Sequence, residues 1–149
     1  MRVFAFAFAA LTLWGQGSLD PAKLLQQPTD SWPTYNGDYS GQRYSPLTKI
    51  NSANIGSLSL AWTYRANPGR GTTGGGGDSP PVIKGTPLVV NGILYVTAPD
   101  HVWAVDARSG RELWHYAWKS RGGWHIGNRG AAYGEAIFIS KPRTAILFL

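Results

Sequence analysis

The chain has no cysteine among its 149 residues. That excludes disulfide bonds and every metal site built on thiolates. Charge is sparse, at 15% of residues, with 14 Lys and Arg against 8 Asp and Glu for a net of +6. The basic residues are scattered, and no run of them forms the patch that a nucleic-acid partner requires, so the excess reads as a solvated surface. The apolar stretch at 3–14 (VFAFAFAALTLW) is shorter than the ~20 residues needed to span a bilayer. The three histidines, His101, His115 and His125, lack metal-ligand spacing. No Ser-His-Asp or Cys-His arrangement is visible. The glycine run within 67–81 (NPGRGTTGGGGDSPP) is followed by Pro80 and Pro81, not by the helix and spaced lysine of a phosphate loop. The sequence therefore offers no catalytic residue and no metal site of its own.

What is present points to a packed, strand-rich chain. Apolar residues make up 43%, with 7 Trp, 7 Tyr and 5 Phe, while 19 Gly and 10 Pro favour short strands and tight turns over long helices. Arg2 supplies a small positive n-region, 3–14 an apolar h-region, and Gly15 to Gly17 the small residues of a cleavage site. Residues 1–17 thus read as a secretory signal rather than a buried N-terminal strand or helix. The expectation is a periplasmic or secreted chain, 18–149, with no stable membrane span after cleavage.

Along that chain, 18–31 is a polar leader with one helical turn predicted near 21–27. Residues 32–48 are dense in turn formers and aromatics, with Asn36-Gly37 as a turn and Trp32, Tyr35, Tyr39 and Tyr44 as anchors. A short helix is predicted over 51–57. A strand follows over 58–64, with Leu58, Leu60, Trp62 and Tyr64 alternating onto one face. The clearest unit spans 86–118. Strands are predicted at 86–90, 93–97, 101–106 and 111–118, separated by Asn91-Gly92, Pro99-Asp100 and 107–110. Asn-Gly suits the positive φ angles of a two-residue hairpin turn, and Asp100 and Asp106 suit turns that bind their own backbone. Trp103, Trp114 and Trp118 are assigned to the core, and His101 and His115 to partly buried strand positions. Four short antiparallel strands in this span make a meander, the unit of a propeller blade. Residues 131–133 and 136–140 start a second hairpin. After Ser140 the pattern dissolves, and 146–149 is expected to be an exposed apolar tail. At roughly 40–50 residues per blade, the chain holds two to three blades and cannot close a ring. The fold expected is all-β, a partial β-propeller.

Residues 104–114 (AVDARSGRELW) resemble the tryptophan-docking repeat of quinoprotein dehydrogenases, Ala-x-Asp-x-x-Thr-Gly-x-x-x-Trp, with Ser109 where Thr is usual. The runs 32–40 (WPTYNGDYS), 43–47 (RYSPL), 60–64 (LAWTY), 84–92 (KGTPLVVNG) and 127–130 (GNRG) are similar, in order, to the start of a mature PQQ-dependent alcohol dehydrogenase. The resemblance covers 32 to about 139 and implies an eight-bladed quinoprotein propeller, pyrroloquinoline quinone (PQQ) on its axis, a calcium ion, and oxidation of an alcohol with transfer to an electron acceptor. It also implies that Arg129 of Asn-Arg-Gly contacts the quinone. A permanently charged fork of donors suits an oxygen that gains negative charge on reduction; the alternative is a solvent-facing arginine in a glycine-rich turn. Many members of the family it resembles carry adjacent cysteines a few residues before this motif. This chain has Gly123-Trp124 instead, so Trp124 becomes the candidate stacking surface. Where relatives have an acidic cofactor partner before the hairpin, this chain has Lys84, which either pairs with a PQQ carboxylate or is a plain surface residue.

The calcium ligands and catalytic aspartate of the family belong to later blades. The expectation is therefore a chain inactive alone that binds no PQQ tightly. The alternatives are a cofactor-free propeller scaffold and a truncated or frame-shifted gene product.

Overall fold

Short apolar runs separated by three tight turns build a four-stranded antiparallel sheet: β1 (Leu88–Val90), β2 (Ile93–Ala98), β3 (His101–Asp106) and β4 (Glu112–Ala117), in the order β1-β2-β3-β4. The computed structural model describes residues 20–67, 83–118, 130–133, 136–139 and 145–148. The expected signal, Trp124 and Arg129 lie outside the described residues. Asn91 and Gly92 take φ of 51° and 74° between β1 and β2, the left-handed pair that matches strand twist. Asp100 turns β2 into β3 at φ 65°. At the third turn, the Asp106 carboxylate accepts from the Ser109 hydroxyl (2.8 Å) and from the amides of Ser109 (2.7 Å) and Arg108 (3.1 Å). The hydroxyl bond explains why Ser109 serves where threonine is usual. These bonds, the Ser109 hydroxyl first, hold the Asp106 carboxyl below its ordinary range.

Both faces of the sheet are covered. Leu88, Val90, Tyr95, Val102 and Ala104 form one buried cluster, with Trp114, Trp118, Ala131 and Tyr133 packed against it. Val96, Ala98, Trp103 and Val105 form the other, against Leu94, Tyr64 and Ala66. Burial on both faces explains why β3 reads His-Val-Trp-Ala-Val without polar alternation. Each large apolar side chain buried this way contributes about 1.5–3 kcal/mol. Trp103, fully buried at 0% exposure, is the largest of them. Burial, and then the neighbouring Tyr133, push the Tyr95 phenol up to about 12.

The second sheet corrects an expectation. β5 (Ala131–Tyr133) and β6 (Ala136–Ile139) form the predicted hairpin, but the chain does not lose its pattern after Ser140. Ala145–Phe148 is a strand, β7, paired antiparallel with β6 from Ala136↔Phe148 to Ile139↔Ala145. A short continuous apolar run carries no periodicity, and its strand character emerges only when a partner edge is present.

The N-terminal part contains little regular structure. A 3-10 turn at Pro21–Leu25 starts on Asp20, whose carboxylate accepts from the Ala22 amide. The helix expected over 51–57 shrinks to a single 3-10 turn, Ile55–Ser57, because Asn51 and Asn54 bind nearby backbone and favour turns. The strand expected over 58–64 is extended but joins no ladder among the described residues. Its alternation survives in part: Trp62 and Tyr64 are half-buried, whereas Leu58 and Leu60 are exposed. One long-range tie is made by backbone. Trp32 bridges the free edge of β1, its amide donating to the Val89 carbonyl (2.5 Å) and its carbonyl accepting from the Val89 amide (3.0 Å).

Candidate functional site

The meander gathers four pieces of chain at one end of the sheet. Leu88 pairs with Tyr95, and Ala98, His101 and Ala117 follow across the ladder, so the entry to β1, the β2–β3 turn and the exit from β4 lie together. The Trp118 amide donates to the Asp100 carbonyl at 3.0 Å, closing the exit strand onto that turn. Gly130 is buried, and a Cβ placed on it would lie 3.8 Å from the Thr86 carbonyl oxygen, which brings the residue after Arg129 to the entry of β1.

Of the three predicted cofactor contacts, only Lys84 lies among the described residues. It is exposed on the entry segment, two positions before Thr86. A second cation, which no local sequence signal marks, lies at this end. The Arg43 guanidinium lies 4.5 Å over the Tyr35 ring and donates to the Thr86 hydroxyl (3.1 Å) and the Tyr35 carbonyl (3.4 Å). Arg43 holds φ of 54°, a conformation that L residues adopt at some cost. No sequence spacing links Arg43 to Thr86; only the Arg-Tyr-Ser-Pro resemblance marked the region. Among the described residues, no group of three His, Asp or Glu side chains could hold a metal ion.

The opposite end of the sheet is held by an aromatic-on-glycine contact. Gly110, at φ 73°, lies under the Trp62 indole, and a Cβ there would meet the ring at 2.6 Å. The residue that docks on this turn is thus the tryptophan of the preceding extended segment. Beside it, the Tyr64 hydroxyl donates to Glu112 Oε2 at 2.5 Å. Burial first, and then this bond and the Glu112 charge, raise the Tyr64 phenol well above its ordinary range.

On the face turned toward Tyr64 and Ala66, three rings pack together. His101 and Trp103 stack at 5.3 Å between centroids, Trp103 and His115 at 4.8 Å, and the two imidazoles at 5.1 Å. His101 Nδ1 and His115 Nε2 are 2.9 Å apart, a direct hydrogen bond. His101 is 1% exposed, and its Nε2 is buried with no hydrogen-bond partner among the described residues. Burial lowers both imidazoles. The His115 neighbour lowers His101 further, against Asp100, and Glu112 opposes the shift of His115. The sequence placed both histidines on strands but gave no sign that they touch.

Comparison with known proteins agrees with this architecture. The β-propeller domain of the PQQ glucose/ethanol/alcohol dehydrogenases matches residues 32–148. The dehydrogenase subunit of the alcohol dehydrogenase (quinone) of Gluconobacter oxydans is 41% identical over 109 residues, covering 68% of this chain and 13% of that protein. A 1-butanol dehydrogenase (cytochrome c) of Thauera butanivorans is 42% identical over 86 residues, covering 57% of this chain and 11% of that protein. The crystal structure of the quinohemoprotein alcohol dehydrogenase of Comamonas testosteroni superposes with a TM-score of 0.69 at 31% identity, over 87% of this chain and 20% of that one. This chain therefore spans between 11% and 20% of the length of these relatives. A blade-like meander, a tryptophan docked on a glycine turn and a family match over most of its length place the chain in the β-propeller domain family of the PQQ-dependent glucose, ethanol and alcohol dehydrogenases.

Proposed function

We propose that this chain forms one sector of a PQQ-dependent alcohol dehydrogenase and lines part of the cofactor site with Lys84, Trp124 and Arg129. The observation that carries the reading is the convergence of the Lys84 segment and Gly130 at one end of the sheet. The donor set at that end fits the group. Lys84 and Arg43 are exposed cations, complementary to a quinone that carries carboxylates. When bound, PQQ supplies the redox chemistry, accepting electrons from the alcohol. The chain's own part is to orient the ring and to stabilise negative charge on a quinone oxygen through the Arg129 guanidinium. Calcium and the proton-accepting carboxylate come from the rest of the propeller. A cytochrome is a fitting electron acceptor, given the name of the Thauera relative. Residues 1–17 direct the protein to the periplasm.

Alone, the chain is inactive. Thermal unfolding of the purified chain, with and without PQQ and calcium, is expected to show no ligand-dependent rise. The site assignment is tested by grafting residues 32–148 into the matching sector of the Comamonas testosteroni enzyme. That hybrid should bind PQQ and oxidise alcohol with a dye acceptor, and Arg129→Ala in the graft should weaken PQQ binding. A hybrid that folds but binds no PQQ, or one indifferent to Arg129→Ala, overturns the assignment.

A further inference from the structure

We propose that the His101–His115 pair is a proton-sensitive latch, which joins β3 to β4 at neutral pH and opens when the pair takes up a second proton. A bond between His101 Nδ1 and His115 Nε2 at 2.9 Å holds one proton, so one nitrogen donates and the other accepts. Two neutral rings satisfy this. One further proton can enter without breaking the bond, on a ring nitrogen outside the contact. Among the described residues His101 Nε2 is buried without a partner, whereas His115 is only half-buried, so the first proton belongs on the His115 ring. A second proton makes both rings imidazolium. Both nitrogens of the contact then carry hydrogens, and the two meet as donors with like charges 5.1 Å apart between ring centroids. The contact must open.

The surroundings decide how strongly the pair resists protonation. On the β2–β3 turn, Asp100 is buried beside His101 and favours its charged form. On β4, Glu112 favours a charged His115, but it is also bonded to the Tyr64 hydroxyl from the extended segment. The Trp103 ring stacks on both imidazoles and welcomes a first cation through its π face. The apolar residues of this cluster, Val96, Ala98, Val105, Leu94 and Ala66, carry no charge. Burial outweighs these favourable charges, and both rings are held below their ordinary value of 6.5. The sign follows. A folded chain that binds fewer protons than the unfolded one loses stability as pH falls below about 6.5. The Asp106 carboxylate, lowered from 3.8, acts only below about pH 5, at the acid edge of this window. What the latch releases is the β3–β4 contact and the Trp103 face on which Tyr64 and Ala66 pack.

The test follows the melting temperature of the full chain from about pH 7.5 to about pH 4.5, together with the imidazole proton resonances of its three histidines. The expected result is a fall of about 5 °C or more below pH 6.5, with two histidines titrating in sequence below the ordinary range. His115→Gln retains an amide that can donate to His101 Nδ1 but cannot titrate, so it should flatten the fall and leave the neutral-pH melting temperature nearly unchanged. His125→Gln should leave the fall intact. A full pH slope in His115→Gln, its loss in His125→Gln, or wild-type histidines that all titrate in the ordinary range would overturn the latch. The resonances decide the matter even where a variant does not fold.

Discussion

The sheet at 88–118 and the segment at 39–60 lie in one chain and are ordered by different physics. In the sheet, every strand is paired and both faces are covered, so side chains such as Val102, Trp103, Ala104 and Val105 reach 0% exposure. In the segment, Tyr39, Tyr44, Leu47, Ile50, Ile55, Leu58 and Leu60 all remain exposed, Leu60 at 80%. Apart from the Arg43 bonds to Thr86 and Tyr35 and the Tyr39 amide bond to the Leu24 carbonyl, its hydrogen bonds are short-range, chiefly between the Ser45, Asn51 and Asn54 side chains and backbone within five residues. The sheet is stabilised by burial, and the segment by local polar bonds that leave its apolar side chains uncovered. The lesson is that apolar composition alone does not locate a core; a paired strand on each side does.

Three substitutions probe this contrast, in order of expected effect. Trp103→Ala removes the largest side chain of the sheet and should cost about 3–5 kcal/mol in denaturant unfolding, while the Asn51 and Asn54 turns persist in amide exchange. If those turns are lost as well, the two regions are one cooperative unit. Gly110→Ala places a methyl group 2.6 Å from the Trp62 ring at a φ of 73°. The clash and the backbone strain together should cost about 2–4 kcal/mol, read as a lower midpoint by circular dichroism and as a change in the tryptophan emission. A neutral outcome would show that Trp62 does not hold the extended segment to the third turn. Leu60→Ser should leave the midpoint within about 0.5 kcal/mol and reduce self-association on a sizing column. A large loss of stability would mean that the segment has a covered face after all.

The legible parts of the molecule were those written in local chemistry. Asn91-Gly92, the Asp106–Ser109 turn and the short apolar runs of β2 and β3 depend on neighbours in sequence, and each formed where its residues predicted. The docking repeat at 104–114 pointed to the family, which the match over 32–148 establishes. Less legible was anything that depended on a distant partner. The strand character of β7, where the sequence suggests an exposed apolar tail over 146–149, is hidden because AILF has no alternation and its partner, β6, lies across 140–144. Residues 58–64 read as a strand because their alternation is real, yet pairing also needs an edge, and none among the described residues meets them. At the candidate site, Lys84 could be named from its place before the hairpin. Arg43 could not, because its contact with Thr86 crosses 43 positions. The His101–His115 bond was hidden by the ladder's diagonal, which sets His115 opposite Trp103 rather than opposite His101.

The ties between the N-terminal segment and the sheet also bear on the order of assembly. The meander's strands are joined by short turns, so its contacts are close in sequence and can form within microseconds. The Tyr64–Glu112 and Arg43–Thr86 bonds instead close loops of 48 and 43 residues, and the Trp32–Val89 bridge reaches farther still. Closing such loops costs chain entropy before any contact repays it. The sheet should therefore act as the nucleus, and the N-terminal arm should dock on it afterwards. A mutation in Trp62 would then accelerate unfolding while leaving the refolding rate of the blade almost untouched.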